Sequence, residues 1–302
     1  MSKNKYLITV IGPTAIGKTA MAIALAKHFG CEIISADSRQ FFKEMKIGTA
    51  VPSDEELAAA PHHFIQNKSI FENYTVGDFE REALAKLAKL FQANDFAVMV
   101  GGSGLYIDAV LKGFDDFPDI DLKIREQIIE RYESEGITYL QKELERLDPV
   151  HYAKVAKENP QRLMRALEVS IGTGLPYSSF LGKKQQSREF TPIIIGLDAG
   201  REMMYERINR RVDLMIEEGL VEEAKTLYPH KNLNALQTVG YRELFDHFDG
   251  KISLPEAIET IKMNTRRFAK RQMTWFKRTE GAMWFDYTMH PSQIINYIES
   301  KL

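Results

Sequence analysis

The sequence predicts an α/β protein in which a parallel sheet is flanked by helices and interrupted by a helical insertion. Three observations carry that expectation. Tyr6-Leu7-Ile8-Thr9-Val10-Ile11 is a short apolar, β-branched run, the pattern of a strand buried on both faces. Gly12-Pro13-Thr14-Ala15-Ile16-Gly17-Lys18-Thr19 follows it, and residues 20–29 behind that loop are strong helix formers. Further strand-like runs at 95–100 and 192–197 lie on either side of a stretch, 115–187, that carries helix signals alone.

Taken in order, the first element gives the loop its meaning. The string G-x-x-x-x-G-K-[S/T] between a strand and a helix is a phosphate-binding loop. Its glycines let successive backbone N–H groups curl toward an anion, and the helix N-terminus adds partial positive charge. The sheet is therefore expected to be P-loop NTPase-like. Gly12, Pro13, Thr14, Ala15, Ile16, Gly17, Lys18 and Thr19 form the phosphate site; Lys18 would contact outer phosphate oxygens and the Thr19 hydroxyl would ligate Mg²⁺.

Residues 31–38 read as the next strand, ending in a polar cluster. Strand carboxyl ends gather on the ligand side of a doubly wound sheet, so Asp37 should face the loop; the blander reading of Asp37-Ser38 is a helix N-cap. Residues Val76–Ala93 read as a helix. The run 95–100 then ends in Gly101-Gly102-Ser103-Gly104-Leu105-Tyr106, where an ATPase commonly places an Asp that supports Mg²⁺. Glycines there either admit close approach of a ligand or another chain, or simply make a turn. Leu122–Glu135 and residues 138–147, 149–157 and 160–171 read as helices, some opened by Asp or Pro. Residues 192–197 return to a strand, and the chain beyond 200 is largely helical. A catalytic core of 1–114 and 188–302 with an insertion of 115–187 is the simplest division.

Composition agrees with a globular chain. Of 302 residues, 44% are hydrophobic and 27% charged, and 40 Lys plus Arg against 42 Asp plus Glu leave a net charge of −2. Those values exclude a disordered chain, a collagen and a disulfide-stapled miniprotein. No apolar run is long enough for a membrane span, and the polar residues 1–5 leave no room for a signal peptide before the first strand. The single Cys31 permits no internal disulfide and fits a reducing cytoplasm. Near-neutral charge does not exclude nucleic acid, since local distribution decides.

Three basic clusters stand out. Arg162 and Arg165 are three apart and share a helical face, the usual arrangement of solvated arginines. Arg201, Arg207, Arg210 and Arg211 follow the last strand. Arg207 and Arg211, one turn apart, could both reach a di- or triphosphate, or could pair at the surface with Glu202 or Glu206. Residues 262–278 hold seven basic residues and no acidic one. A stripe of one sign, with Arg267 and Arg271 on one face, suggests a polyanion larger than a nucleotide. Phe268 and Trp275 within it read as core anchors rather than base-stacking groups. His62-His63 lacks partners at metal-ligand spacing and reads as structural.

With these residues in view the chain resembles the bacterial tRNA dimethylallyltransferases, also called isopentenyl-diphosphate:tRNA transferases. The carrying motifs are the phosphate loop, Ile34-Ser35-Ala36-Asp37-Ser38-Arg39-Gln40, Ile47-Gly48-Thr49-Ala50, Ala60-Pro61-His62-His63 and Val100 to Tyr106. Asn159-Pro160-Gln161-Arg162, Arg165-Ala166-Leu167-Glu168, Val239-Gly240-Tyr241-Arg242 and Arg267 through Trp275 complete the set. They run in order from residue 12 to 275, nearly the whole chain. No eukaryotic C-terminal zinc finger follows.

The resemblance implies transfer of a dimethylallyl group from its diphosphate to the exocyclic amine of an adenine beside the tRNA anticodon. Asp37 would then orient the amine and accept its proton. Lys18, Thr19-bound Mg²⁺ and Arg211 would stabilise the leaving diphosphate. Ser103 takes a catalytic and tRNA-contacting position. Asp37, Ser38, Arg39, Gln40, Arg125, Gln161, Arg162, Leu163, Met164 and Arg165 match tRNA-contacting positions, and Arg267 and Arg271 join them from the basic stripe. The anticodon stem-loop would present an extruded base. A monomer in the cytoplasm, with no membrane partner, is expected. The chain departs from the family's common pattern at Arg39-Gln40-Phe41, where an additional basic contact enters, and at Ser103 and Gly104. The competing readings are a small-molecule or nucleotide kinase, which leaves the basic stripe unexplained, and an RNA-binding protein with a nucleotide switch.

Overall fold

A computed structural model of the chain describes residues 4–115, 117–182 and 187–302. Positions 1–3, where the expected leaderless start lies, together with 116 and 183–186, fall outside it. Six strands form one parallel sheet: β1 Tyr6–Ile11, β2 Ile33–Ser35, β3 His62–His63, β4 Phe96–Val100, β5 Thr191–Asp198 and β6 Met283–Asp286, in the order β3-β2-β4-β1-β5-β6. β1 lies between β4 and β5, with Ile8 opposite Val98 on one side and Ile193 on the other.

Helices α1 Lys18–Phe29, α2 Asp54–Ala59, α3 Val76–Ala93 and α4 Gly104–Lys112 precede the insertion. Helices α5 Leu122–Glu135, α6 Ile137–Leu147, α7 Pro149–Tyr152 and α8 Pro160–Thr173 lie within it. α9 Arg201–Glu217, α10 Leu220–Leu227, α11 Tyr241–Phe248, α12 Leu254–Phe276 and α13 Pro291–Glu299 follow β5. The chain divides into two compact units, Met1–Lys112 with Arg188–Leu302, and Gly113–Ser187. No described helix is long and apolar enough to cross a membrane.

The β1 sequence explains its central place. Leu7 and Ile11 face a core with Ile34, Phe79 and Met99, while Ile8 and Val10 face one with Leu25, Ile33 and Ile195. Alternate side chains of a strand point to opposite faces, so only an unbroken apolar run satisfies both layers. Burying each such side chain contributes roughly 1.5–3 kcal/mol, and truncating one to Ala costs about 2–5 kcal/mol. A third cluster, including Val212, Leu236, Tyr241 and Ile261, packs α9 to α12 together.

Some expected boundaries shift. The strand expected at 31–38 narrows to β2, because its last residues turn away to build the ligand side of the sheet. The helix expected over 149–157 ends at Tyr152. The strands β3 and β6, two and four residues long, lie at the sheet's edges and carried no strand expectation. The insertion has its own core, in which Ile128, Leu140, Leu144, Leu163 and Leu167 meet. Asp148 and Asn159 cap α7 and α8 through their side chains, as helix-start chemistry requires.

α12 is the longest helix described. Ser253 and Glu256 form a capping box and Pro255 sits in its first turn, so its start is over-determined. Ala257, Ile261, Ala269, Gln272 and Phe276 are buried along it, against α11, α9 and α4.

Candidate active site

The carboxyl ends of β1, β2 and β4 converge on one group of loops. After β1, Gly17 adopts a left-handed conformation at φ 103° and caps α1 without a side-chain acceptor. The first-turn N–H groups are thereby left without a cap side chain, the condition for anion binding at a helix start. Lys18 Nζ folds back to donate to the Pro13 carbonyl at 2.7 Å.

After β2, Asp37 Oδ1 accepts the Arg39 N–H at 3.1 Å and fixes a tight turn. Ser103 Oγ accepts the Ser38 N–H at 2.9 Å and lies 3.0 Å from the Ser38 hydroxyl, pinning that turn to the one after β4. Asp37 thus spends one oxygen on the turn, and its Oδ2 points toward Gly102.

The glycines after β4 admit close approach of the protein's own chain. A Cβ on Gly101 would lie 2.2 Å from the Ala36 carbonyl, and one on Gly102 would lie 2.5 Å from Gln272 Nε2. Gln272, 6% exposed on α12, donates to the Gly102 carbonyl at 2.8 Å while its Oε1 accepts the Thr14 N–H at 2.9 Å. One amide therefore ties the phosphate loop to the β4 turn. Sequence reasoning missed it, since a glutamine inside a basic run carries no signal of its own.

From α9, Arg207 Nε donates to the Ala15 carbonyl at 2.8 Å, and Arg211 Nη1 lies 3.4 Å from Thr14 Oγ1. Both arginines reach the loop rather than pairing with Glu202 or Glu206.

Two cavities meet here. The larger, about 870 Å³, is lined by Thr14 to Thr19, Asp37, Arg207 and Arg211. The smaller, about 500 Å³, is lined by Ser38, Arg39, Ser103, Tyr106, Arg271 and Trp275. Thr14, Asp37, Thr49, Ala50, Arg211 and Gln272 line both. The loop carrying Thr49 and Ala50 is anchored by Glu223, whose carboxylate accepts the N–H groups of Lys46, Ile47 and Gly48 and the Tyr241 hydroxyl.

Residues 40–279 match the family model described as IPP transferase. The chain is 65% identical to the tRNA dimethylallyltransferase of Flavobacterium johnsoniae, covering 99% of this chain and 98% of that one. It is similar in structure to the full-length tRNA isopentenylpyrophosphate transferase from Bacillus halodurans, with 37% identity and a TM-score of 0.73 over 99% of this chain and 97% of the other. A eukaryotic dimethylallyltransferase acting on tRNA matches with 26% identity and a TM-score of 0.82, over 99% of this chain and 80% of that one. The chain belongs to the IPP transferase family. The P-loop NTPase-like fold expected from the first strand and loop agrees with these neighbours, and nothing among them favours a kinase.

In this IPP transferase, charge is concentrated where the cavities meet. Burial pushes Lys18 down to about 8; the Asp37 carboxylate opposes that shift and Arg211 adds to it. Burial likewise lowers Arg211, with Asp37 again opposing. An excess of desolvated positive charge awaits an anion.

The remaining expected residues divide into groups. Arg39, expected to add a basic contact, has its guanidinium on the carbonyls of Asn234 and Ala235 at 3.0 and 2.9 Å. Gln40 donates to the Thr49 and Ala50 carbonyls. Both shape the cavity wall. In the insertion, Arg125 pairs with Glu168 at 2.9 Å and donates to Gln161, and Arg165 pairs with Glu168 at 3.3 Å. Arg162 lies in the first turn of the same helix, α8. Leu163 and Met164, expected to contact tRNA, turn their side chains into that unit's core at 0% and 3% exposure. Their side chains fix the helix within that core and are not free to make the expected contact.

Arg267 and Arg271 are exposed on α12. Phe268 and Trp275 correct the expectation made for them: at 38% and 41% exposure they are not core anchors. Phe276 and Ala269 take that role. His62 and His63 occupy the edge strand, where His62 Nδ1 donates to the Ala60 carbonyl and His63 lies 2.5 Å from Glu32.

Proposed function

We propose that this chain transfers a dimethylallyl group from dimethylallyl diphosphate to the N6 amine of the adenine adjacent to the anticodon in tRNA, releasing diphosphate. The single observation that carries the reading is the place of Asp37, in the wall shared by a phosphate-loop cavity and a second cavity beside the basic helix. The diphosphate lies against the backbone of Gly12 to Thr19, with Lys18 and Arg211 over its oxygens. These cations meet charge that grows as the allylic C–O bond breaks, where preorganised donors act most strongly. The electron pair of that bond leaves with diphosphate, and the N6 lone pair forms the new C–N bond. Asp37 Oδ2 takes the N6 proton, while Oδ1 keeps the turn through the Arg39 N–H. Ser103 holds the same turn from the other side.

Mg²⁺ fits this donor set. The described residues gather no group of three His, Cys, Asp or Glu, so they build no cage of their own. Mg²⁺ is commonly held by one or two protein oxygens, water and substrate phosphates; the Thr19 hydroxyl supplies the protein oxygen. When bound, the ion offsets negative charge on the diphosphate.

The anticodon stem-loop rests on Ser38, Arg267 and Arg271, with the insertion helices carrying Arg125, Gln161, Arg162 and Arg165 as a second contact. We take the enzyme as a monomer working on tRNA in the cytoplasm. The test is incubation of unmodified tRNA with dimethylallyl diphosphate or with ATP, followed by mass analysis of nucleosides. A gain of one dimethylallyl group on adenosine with the first donor alone supports the reading. Phosphate transfer from ATP, or no change with either, overturns it.

A further inference from the structure

An adenine drawn out of an RNA loop loses its stacking partners, and so do the bases it leaves behind. The structure holds a feature that meets this loss. Phe268, Arg271 and Trp275 recur at spacings of three and four on α12, so their side chains rise along one helix face. From 268 to 275 the helix climbs about 10 Å, close to three base-stacking intervals of about 3.4 Å. All three are exposed and line the smaller cavity, and Phe268 reaches the larger one as well.

The arrangement is built and not incidental. The Trp275 indole N–H donates to Asp108 Oδ2 at 2.8 Å. Its five-membered ring lies so close to Gly104 that a Cβ there would come within 2.4 Å of Cδ1. Gly104 thus backs one face of that ring, Asp108 ties its N–H edge, and 41% of the residue stays open to solvent. The Arg271 guanidinium lies over the Phe268 ring at 5.8 Å, and no carboxylate among the described residues pairs with it. Anchoring of the helix falls to other residues, since Ala269, Gln272 and Phe276 are the buried ones on this stretch. Exposed Arg267, one turn before Arg271, adds positive charge on that side of the helix.

We infer that this face of α12 is a stacking platform for the unpaired nucleobases that flank the target adenine. Exposed aromatic rings within a cationic groove are the chemistry that binds single-stranded nucleic acid without reading its sequence. The platform adjoins the Asp37 cavity, so neighbours of an inserted base arrive on it directly. The inference rests on the transferase reading above and adds to it the groups that receive the displaced bases.

The test compares binding of an anticodon stem-loop RNA with that of the same RNA made abasic at the two positions flanking the target adenine. Wild type, Trp275→Ala and Trp275→Phe are titrated by fluorescence anisotropy. Trp275→Ala should weaken binding of the intact RNA by about 10-fold, and Trp275→Phe should restore most of it. On the abasic RNA the three proteins should agree within about 2-fold. The salt dependence on intact RNA should stay parallel, because every variant neutralises the same phosphates. Pyrophosphate affinity reports whether the Ala variant is folded, and the Phe variant carries the comparison if it is not. An equal loss on intact and abasic RNA overturns the platform. So does a loss seen only with dimethylallyl diphosphate, which would assign Trp275 to the small substrate. A wild type that neither binds nor prenylates the intact stem-loop overturns the transferase reading itself, a result distinct from either.

Discussion

Lys18 and Asp37 face opposite electrostatic demands within one small volume. Desolvation drives the ammonium toward neutrality at about 8, and the carboxylate holds it back. With the Lys18 value depressed on folding, the unfolded chain binds more protons between about 8 and the ordinary value of 10.5. Stability from this group therefore rises with pH across that window, and below it the folded chain bears the cost of a buried cation. A bound diphosphate reverses the balance by favouring the charged form. Pyrophosphate binding near pH 8.5 should accordingly take up a fraction of a proton, read by calorimetry in two buffers of different ionisation enthalpy. A heat independent of buffer would contradict the depressed value. For Asp37 the cleaner variant is Asn, because it still accepts the Arg39 N–H and preserves the turn. Asp37→Asn should lower turnover by about 100-fold or more while pyrophosphate and tRNA affinities hold; a rate within a few-fold of wild type would remove the general-base role. The sequence made both residues visible: the loop string announces Lys18, and the polar end of a buried strand announces Asp37. It could not show that one Asp37 oxygen is already committed, since that depends on where the Arg39 N–H falls.

Among the elements, α12 was the most legible and the most misread. Its acid-free stripe is plain in the sequence, and so is its start, where Ser253 and Glu256 close a capping box. What spacing could not assign is which side of the helix the core would take. Phe268 and Trp275, one heptad apart, look like a buried seam; Ala269, Gln272 and Phe276 form it instead. A small residue and an amide carry no hydrophobic signal, so the periodicity of the large side chains pointed the wrong way. The edge strands were illegible for a different reason: two and four residues give alternation too little length to register. The charged face yields a direct expectation. Arg267→Ala with Arg271→Ala should weaken tRNA binding and flatten its dependence on log salt by about 0.7–0.9 for each phosphate no longer neutralised. Dimethylallyl diphosphate affinity should not move. Unchanged affinity together with parallel salt plots would show that these arginines are merely solvated.

At the scale of the molecule, the unit of Met1–Lys112 and Arg188–Leu302 builds its site from segments far apart in the chain. The motif and first strand were enough to foresee a sheet with ligand-binding carboxyl ends, but no local pattern foretold that Glu223 would anchor the 46–48 backbone. Such a site exists only when the whole unit is folded, so its ligand should stabilise that unit. Pyrophosphate at about one hundred times its dissociation constant should add about 2.7 kcal/mol, raising the melting temperature by several degrees in calorimetry. Lys18→Ala should abolish most of that rise at the same concentration. An equal rise in the variant would place the anion elsewhere.

Gln272 lies 258 positions from Thr14 in sequence, and its amide takes the Thr14 N–H on one side while donating to the Gly102 carbonyl on the other. Its backbone belongs to the helix that carries the basic stripe, and its amide oxygen accepts an N–H from the loop after β1. Thermodynamic linkage is symmetric: whatever factor a bound diphosphate contributes to RNA affinity, bound RNA must return to the diphosphate. The order of arrival is irrelevant to the final free energy whatever couples the two sites. The shared amide is a physical route by which occupancy of one site can bias the other.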